Sequence, residues 1–221
     1  MPRPSAGSRT TPVAETAQAL EHLSASDPVI AALIERYEDP DGVLARRGRP
    51  PGDAYGALLR SIVGQQVSTH AAKAIYGRIL DLYGDRTPTP SEILATDAQA
   101  LRDAGLSRMK VAYLGDLAQK IEDGELRLNL LGELPDEEVA AQLTQVKGLG
   151  QWTADMFLLF HLGRPDVLPV GDLGIRRAAQ VEYGLEELPS AAELRQIAEP
   201  WRPCRSLACL YLWRSLDNTP A

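Results

Sequence analysis

The chain has 221 residues and a formal net charge of −7, with 44% hydrophobic and 24% charged residues. No apolar run reaches the roughly eighteen residues that a membrane span needs, so no membrane partner is expected. Two cysteines, Cys204 and Cys209, are too few for a disulfide framework or a structural zinc site, and a reducing cytosol is the expected setting.

The acidic total argues against a surface coated with basic residues, so nonspecific attraction to nucleic acid is limited. The charge is unevenly distributed, however. Acidic residues crowd the stretch from Asp116 to Glu138, whereas Ala45 to Arg49 and the pair Arg176 and Arg177 are basic. The sequence is therefore still compatible with a local basic face.

Polar residues 1–13 lack the apolar stretch of a secretory signal and predict a disordered tail. After them, apolar residues recur at helical spacing in nearly every segment, and none alternates convincingly as a strand. The pattern predicts an all-α protein of about ten helices without an internal repeat. The first predicted helices run from Tyr55 to Val63, from Ser68 or Thr69 to Tyr83 and from Ser91 to Leu94, and a further short helix ends at Gly105. The later ones run from Met109 to Ile121, from Pro135 to Val146, from Thr153 to Leu162, after Asp172 as far as Val181, and from Arg205 to Leu216. One more helix begins at Ser190, which has the spacing of a capping box with Glu193.

A tight glycine turn, Gly148-Leu149-Gly150, separates two of these helices. Two readings fit it equally well. One is a plain helix–turn–helix corner, which needs glycine where φ is positive. The other is a phosphate-binding hairpin, in which a backbone without Cβ atoms lets a phosphate approach the amides at the start of the next helix, with Lys147 adding a point charge.

Asp172 follows a proline-containing loop and precedes a helix, which is typical of an N-cap. An N-cap aspartate is also held rigidly, and the helix dipole favours its negative charge, so capping is compatible with catalysis. Asp172 lies one helix and one loop after the glycine turn. A carboxylate at that separation from a bound phosphate could face a nucleotide turned out of a duplex.

Taken together, these motifs resemble the helix-hairpin-helix DNA glycosylase superfamily, and specifically its alkylation-repair branch, 3-methyladenine DNA glycosylase II. The segments that carry the resemblance are LTQVKGLGQWTADMFLLF, DVLPVGDLGIRRA, AYGALLRSIVGQQVSTHAAKAIYGRILDLYG and AEPWRPCRSLACLYLWRSL. They cover most of the chain from about Tyr55 to the last helix. The combination of hairpin, aspartate and GQQVS segment is specific for this superfamily, whereas each motif alone is weaker evidence for it.

The resemblance implies a DNA glycosylase in which Asp172 is the catalytic carboxylate. Related glycosylases that also cut the strand carry a lysine on the hairpin's second helix, and the matching residue here is Trp152. Because no amine stands at that position, strand cleavage through a Schiff base is not expected. The expected enzyme is monofunctional and requires no cofactor.

The resemblance also implies a base pocket. Trp152 would line it, and an electron-rich ring favours a flat, positively charged base such as 3-methyladenine or 7-methylguanine. Trp213 matches another aromatic position of the pocket wall. By spacing alone, both tryptophans also fit a buried core. Met156 and Leu173 occupy places where longer bacterial relatives carry tyrosine, so the pocket is less aromatic than the family pattern.

By the same resemblance, Gln66 is the residue that enters the base stack to replace the flipped nucleotide, although a simple polar loop residue explains it equally well. The implied contacts with double-stranded DNA are Gln66, Lys147, Gly148, Gly150, Gln151 and Thr153. A monovalent cation at the hairpin is implied as well, held by the backbone carbonyls of Thr144, Val146 and Leu149.

Two helical lobes are expected, with an active-site cleft between them. One lobe would span residues 54–163 and contain the hairpin; the other would combine residues 14–53 with 164–221. The compact form, without the mixed α/β domain of longer relatives, is expected. The protein would act as a monomer in the cytoplasm, associated with the nucleoid if bacterial.

Three other functions fit parts of the sequence. A non-catalytic hairpin module that binds DNA or senses lesions would not need a carboxylate at Asp172. A glycosylase for deaminated or mismatched bases would need more active help for its neutral leaving group. A helical protein–protein adaptor would leave the hairpin and the aspartate unexplained together.

Overall fold

The computed structural model describes residues 12–37 and 53–217, and all regular structure within these ranges is helical. The prediction of an all-α fold is therefore confirmed. Twelve α-helices occur in this part of the chain: α1 (Pro12–Ser26), α2 (Pro28–Tyr37), α3 (Ala54–Gly64), α4 (Thr69–Asp81), α5 (Pro90–Ala95), α6 (Ala98–Asp103), α7 (Arg108–Glu122), α8 (Asp136–Leu143), α9 (Gln151–Met156), α10 (Leu173–Glu182), α11 (Ala191–Ile197) and α12 (Arg205–Asp217). Two 3₁₀ helices, Leu131–Glu133 and Glu199–Trp201, and a π-helical turn, Phe157–His161, accompany them.

Some sequence expectations fall outside these ranges. The basic stretch 45–49 does so entirely, and the predicted tail does so except for Pro12 and Val13, which already belong to α1. Within residues 12–37 and 53–217, no helix combines the length and the apolar composition that spanning a bilayer requires.

The described residues divide into two compact units. Residues 53–164 form one, called here the hairpin unit, and residues 12–37 with 165–217 form the other, called the carboxylate unit. The borders differ slightly from those expected. Asp53 caps α3 by accepting a hydrogen bond from the Gly56 amide, and Arg164 donates to the carbonyls of Gly132 and Leu134. These contacts place both border residues in the hairpin unit.

Helix α3 is central to the hairpin unit. Its large buried side chains are Tyr55, Leu58, Leu59, Ile62 and Val63. Burial of each such side chain contributes about 1.5–3 kcal/mol relative to exposure. The helix packs on α4, on α7 and on the π-helical turn that follows α9. The loop that begins after α3 is therefore attached to a rigid, well-packed element.

The carboxylate unit is built around α12, which packs on α2 and α10. Leu33, Ile175 and Trp201 are completely buried within this unit. Because Ile175 lies in the first turn of α10, its burial holds the start of that helix in place. Asp172 caps α10 at this fixed end, as the sequence predicted.

Capping signals in the sequence were mostly informative. Ser190 and Glu193 form the predicted capping box at α11. The prediction that Ser91 opens α5 is wrong, because Thr89 caps that helix and accepts a hydrogen bond from the backbone amide of Glu92. The Glu92 side chain returns a bond to the Thr89 backbone, so the complete capping box lies two residues earlier.

Asp27 joins distant parts of the carboxylate unit. Its Oδ1 atom accepts hydrogen bonds from the amides of Val29 and Ile30, at 2.8 and 3.1 Å. Its Oδ2 atom accepts the Tyr183 hydroxyl at 2.6 Å and the Trp201 indole N–H at 2.8 Å. Asp27 is buried, and burial of the Tyr183 hydroxyl, together with its hydrogen bond to Asp27, raises the pKa of Tyr183.

Replacing Asp27 by alanine is expected to lower the free energy of unfolding by about 3–5 kcal/mol, because the half-buried Tyr183 hydroxyl and the buried Trp201 indole N–H would lose their acceptor. Urea denaturation followed by circular dichroism measures the change. Asp27→Asn keeps one acceptor oxygen and should lose less. An Asp27→Ala protein within about 1 kcal/mol of wild type would contradict this account.

Candidate functional site

The glycine turn joins α8 to α9 within the hairpin unit. The Leu149 amide donates to the Val146 carbonyl at 3.1 Å, which closes the turn. Gly148 has a φ of +81°, and a Cβ atom added there would lie 2.2 Å from a ring carbon of Tyr113. The fold itself therefore requires glycine at position 148.

Gly150 behaves differently. Its φ is −100°, which any residue adopts, and an added Cβ atom would meet no protein atom within 4 Å. Gly150 is the N-cap of α9, a position where glycine is favoured over alanine, but packing in the hairpin unit does not require it. The space beside its Cα atom is open to an external group such as a phosphate.

The loop after α3 carries the two glutamines of the GQQVS segment. Gln66 is exposed and has a φ of +54°, which is uncommon for a residue with a side chain. Gln65 donates its side-chain amide to the Gly148 carbonyl at 2.8 Å. Ser68 then caps α4 through the Ala71 amide, as predicted. The glutamine loop is thus bonded directly to the hairpin.

Helix α7 supports both segments. Lys110 is buried and donates its ammonium to the Val63 carbonyl in the last turn of α3, at 2.8 Å, and burial lowers its pKa. A cation is favourable at a helix C-terminus, where carbonyls lack helical partners. Tyr113, one turn later on α7, packs against Gly148. A single helix therefore fixes the start of the glutamine loop and the hairpin.

A cavity of about 410 Å³ opens beside the glutamine loop. Its lining residues are Arg60, Ser61, Gly64, Gln65, Gln66 and Trp152. Trp152 is 44% exposed, so it is not a core residue. The guanidinium of Arg60 lies 4.9 Å from the ring centre of Tyr76. The structure thus brings two predicted residues, Gln66 and Trp152, to one cavity and adds a cation that the sequence did not point to.

Of three other predicted DNA contacts, two are bonded to side chains of the protein and one is buried. Lys147 donates its backbone amide to Asp116 at 2.9 Å, and its ammonium lies 3.3 Å from the same carboxylate. Gln151 donates its side-chain amide to Asp155 at 2.8 Å; burial raises the pKa of that carboxyl. Thr153 is only 4% exposed, which argues against direct contact with DNA.

In the carboxylate unit, two donors orient Asp172. Its Oδ1 atom accepts the Ile175 amide at 2.8 Å and the Trp213 indole N–H at 3.0 Å. A Cβ atom on Gly174 would lie 3.0 Å from this oxygen and 3.2 Å from the indole nitrogen, so a glycine at 174 leaves room for the bond. The carboxylate is half-buried and fixed in direction.

Each unit contains some of the remaining predicted pocket residues. Trp213 is half-buried and contacts Asp172, so it does more than fill the core. Leu173, next to Asp172, is 65% exposed. Met156 is half-buried on the last turn of α9, in the hairpin unit. Residues 12–37 and 53–217 contain no group of three or more histidine, cysteine or acidic side chains that could hold a metal ion.

The sequence did not predict several of the residues that form this region. Gln65 stands beside Gln66, so the motif was recognised but only one of its glutamines was assigned. Tyr113 and Asp116 belong to a helix that carries no hairpin motif. Arg60 belongs to no motif. Its position on α3, one turn before the helix ends at Gly64, is the only signal that places it at the cavity.

The chain is similar to known DNA glycosylases in both sequence and structure. The structure of 3-methyladenine DNA glycosylase from Schizosaccharomyces pombe in complex with abasic DNA is similar with a TM-score of 0.79 and 30% identity, over 90% of this chain and 97% of that one. A DNA-3-methyladenine glycosidase from Bacillus halodurans gives a TM-score of 0.70 and 35% identity, over 87% and 90% of the two chains. DNA-3-methyladenine glycosylase 1 of S. pombe is 34% identical over 165 residues, which is 74% of this chain and 72% of that protein.

The family comparison covers the hairpin, the cavity-lining part of α3 and Asp172 together. The family model described as HhH-GPD superfamily base excision DNA repair protein matches residues 59–203, well over half of the chain. The matched range therefore contains both the glycine hairpin and the helix-capping Asp172. This chain belongs to the HhH-GPD superfamily of base excision DNA repair proteins.

Proposed function

We propose that this protein is a monofunctional DNA glycosylase that removes alkylated bases, such as 3-methyladenine and 7-methylguanine, from double-stranded DNA in base excision repair. The observation that carries the proposal is the carboxylate of Asp172, fixed by Ile175 and Trp213 in a chain with a glycine hairpin. The names of its relatives, DNA-3-methyladenine glycosylases, support the same activity.

The proposed reaction breaks the bond between the base nitrogen and C1′ of the deoxyribose. The bonding electrons leave with the base, and positive charge develops on the sugar. The carboxylate of Asp172 stabilises that charge, and because two hydrogen bonds already orient it, little reorganisation is needed in the transition state. Water then adds its oxygen to C1′ and loses a proton, which leaves an abasic site and a free base.

Trp152 supports the preference for cationic bases. Its ring is partly exposed at the cavity, and a cation over an indole face gains about 0.5–2 kcal/mol. Cationic alkylated bases also leave readily, because departure neutralises their charge. Met156, Leu173 and Trp213 are the proposed further pocket residues, and with only Trp213 aromatic among them a broad lesion range is expected.

Strand cleavage is not part of the proposal. A glycosylase that cuts the strand through a Schiff base needs an amine nucleophile. The first turn of α9 carries Gln151, Trp152 and Thr153, and none of them has an amine.

The hairpin unit is proposed to hold the DNA. Gly148 and Gly150 expose the backbone of the turn, Lys147 supplies charge, and Gln66 fills the gap left by the flipped nucleotide. The backbone carbonyls of Thr144, Val146 and Leu149 are oxygen ligands suited to a hard cation. Such a cation would add positive charge near the phosphate. No step of the chemistry depends on it. The protein is proposed to act as a monomer on chromosomal DNA in the cytoplasm.

The test of this function is release of free bases from duplex DNA treated with a methylating agent. We expect 3-methyladenine and 7-methylguanine in the supernatant by liquid chromatography, none from untreated duplex, and no strand breaks until the abasic sites are cleaved with alkali. Duplexes that carry uracil, hypoxanthine or ethenoadenine are assayed in parallel, and release of these bases without release of methylated bases would identify a glycosylase for other lesions. DNA binding without any base release would leave a lesion-binding module and refute the proposal.

A further inference from the structure

Lys147 stands at the entrance to the hairpin, and a carboxylate from another helix accompanies it. Asp116 on α7 accepts the Lys147 backbone amide through Oδ2 at 2.9 Å. Its other oxygen, Oδ1, lies 3.3 Å from the Lys147 ammonium. One side chain therefore binds both the backbone and the charged end of the same lysine.

The two partners differ in exposure. The Lys147 side chain is 73% exposed, whereas the Asp116 side chain is only 15% exposed. Burial alone would raise the pKa of the Asp116 carboxyl, but the bonds from the backbone and side chain of Lys147 outweigh it and hold that pKa below its usual value. The carboxylate is thus ionised and fixed beneath an exposed ammonium.

Lys147 is also isolated from other strong cations in its segment. Between Arg127 and Arg164 the sequence contains no other lysine or arginine, while it contains Glu133, Asp136, Glu137, Glu138 and Asp155. The charge that this segment shows to a phosphate depends on one ammonium. Pairing that ammonium with Asp116 removes much of the attraction.

We propose that Asp116 limits the affinity of the hairpin for undamaged DNA by retaining the ammonium of Lys147. A phosphate that reaches Lys147 must compete with a carboxylate that cannot move away, and it is repelled by the same carboxylate. Undamaged duplex is then released readily, and a long-lived complex needs the additional contacts of a flipped base. This inference rests on the proposed binding of DNA by the hairpin.

The variant Asp116→Asn tests this proposal, because its amide oxygen still accepts the Lys147 backbone amide while the negative charge is lost. We expect undamaged duplex to bind about threefold to tenfold more tightly at low salt. The plot of log affinity against log salt should steepen by up to about 0.9, the value for one additional phosphate contact. Fluorescence anisotropy with a labelled, unmethylated duplex gives both quantities.

The matched control is Glu125→Gln. It removes one negative charge from an exposed ion pair with Lys120, 2.8 Å away, in the same unit. Its affinity should change by less than about twofold. If Asp116→Asn does not fold, Asp116→Ser also keeps a hydrogen-bond acceptor without the charge.

The single variant Lys147→Gln and the double variant Asp116→Asn/Lys147→Gln complete the cycle, and these two should bind undamaged duplex equally. Asp116→Asn binding no tighter than Glu125→Gln, or a gain that persists without Lys147, would show that Asp116 only supports the turn and would overturn the proposal. Base release from methylated duplex by the same wild-type protein reports on the proposed function separately, since the binding comparison needs no catalysis.

Discussion

Replacement of Asp172 by asparagine is expected to slow base release from methylated duplex DNA by a factor of at least about 10², while the protein remains folded. Asparagine is as good an N-cap as aspartate, so its oxygen can still accept the Ile175 amide and the Trp213 indole N–H. What is lost is the negative charge that stabilises the sugar cation. The single-turnover rate of 7-methylguanine release, at saturating enzyme, measures the effect directly.

Asp97→Asn is the control for this substitution. Asp97 caps α6 by accepting the Gln99 amide at 3.1 Å and is exposed, so the same chemical change is made at another N-cap. Its rate should stay within about twofold of wild type. An Asp172→Asn protein that keeps more than about a tenth of the wild-type rate would remove Asp172 from the centre of the reaction.

Alanine at position 148 is expected to lower the free energy of unfolding by about 2–5 kcal/mol, from the positive φ and the overlap with Tyr113 combined. The hairpin backbone would move away from Tyr113, so binding to duplex DNA should fall as well. Thermal and urea denaturation measure the stability, and anisotropy measures the binding.

Alanine at position 150 separates packing from ligand contact. An added Cβ atom there meets no protein atom within 4 Å, so the only expected loss is that of glycine at the N-cap of α9, and stability should change by less than about 1 kcal/mol. Binding to duplex should nevertheless weaken, since the methyl group would occupy the space proposed for a phosphate. A Gly150→Ala protein with wild-type affinity would show that phosphate does not approach this residue. Full stability in Gly148→Ala would refute the steric account of the turn.

Features set by neighbouring residues were predictable from the sequence. The helical spacing of apolar residues predicted the all-α fold, since each helix must bury one face. The N-cap at Asp172 and the capping box at Ser190 were predictable because the cap and its amide partner lie within three residues. The glycine turn between α8 and α9 was predictable because its residues are adjacent in the sequence. The roles assigned to these residues in DNA repair stay predictions.

Contacts between distant segments were not predictable. Trp213 and Asp172 are 41 positions apart, Gln65 and Gly148 are 83 apart, and Lys147 and Asp116 are 31 apart. No local pattern links such pairs, because their distance depends on how whole helices pack. The preference for glycine at 148 over other turn residues likewise depends on Tyr113, which lies on a different helix.

The carboxylate unit consists of two separate segments of the sequence, and this affects the order in which the two units fold during synthesis. Residues 12–37 belong to the same unit as residues 165–217, and Asp27 is bonded to Tyr183 and Trp201, which follow it by 156 and 174 positions. The continuous hairpin unit can fold while it leaves the ribosome, since its contacts are complete once residue 164 has emerged. The first two helices must wait for their partners. A nascent chain therefore acquires its hairpin early, and Asp172 gains its indole partner only when Trp213 has been synthesised.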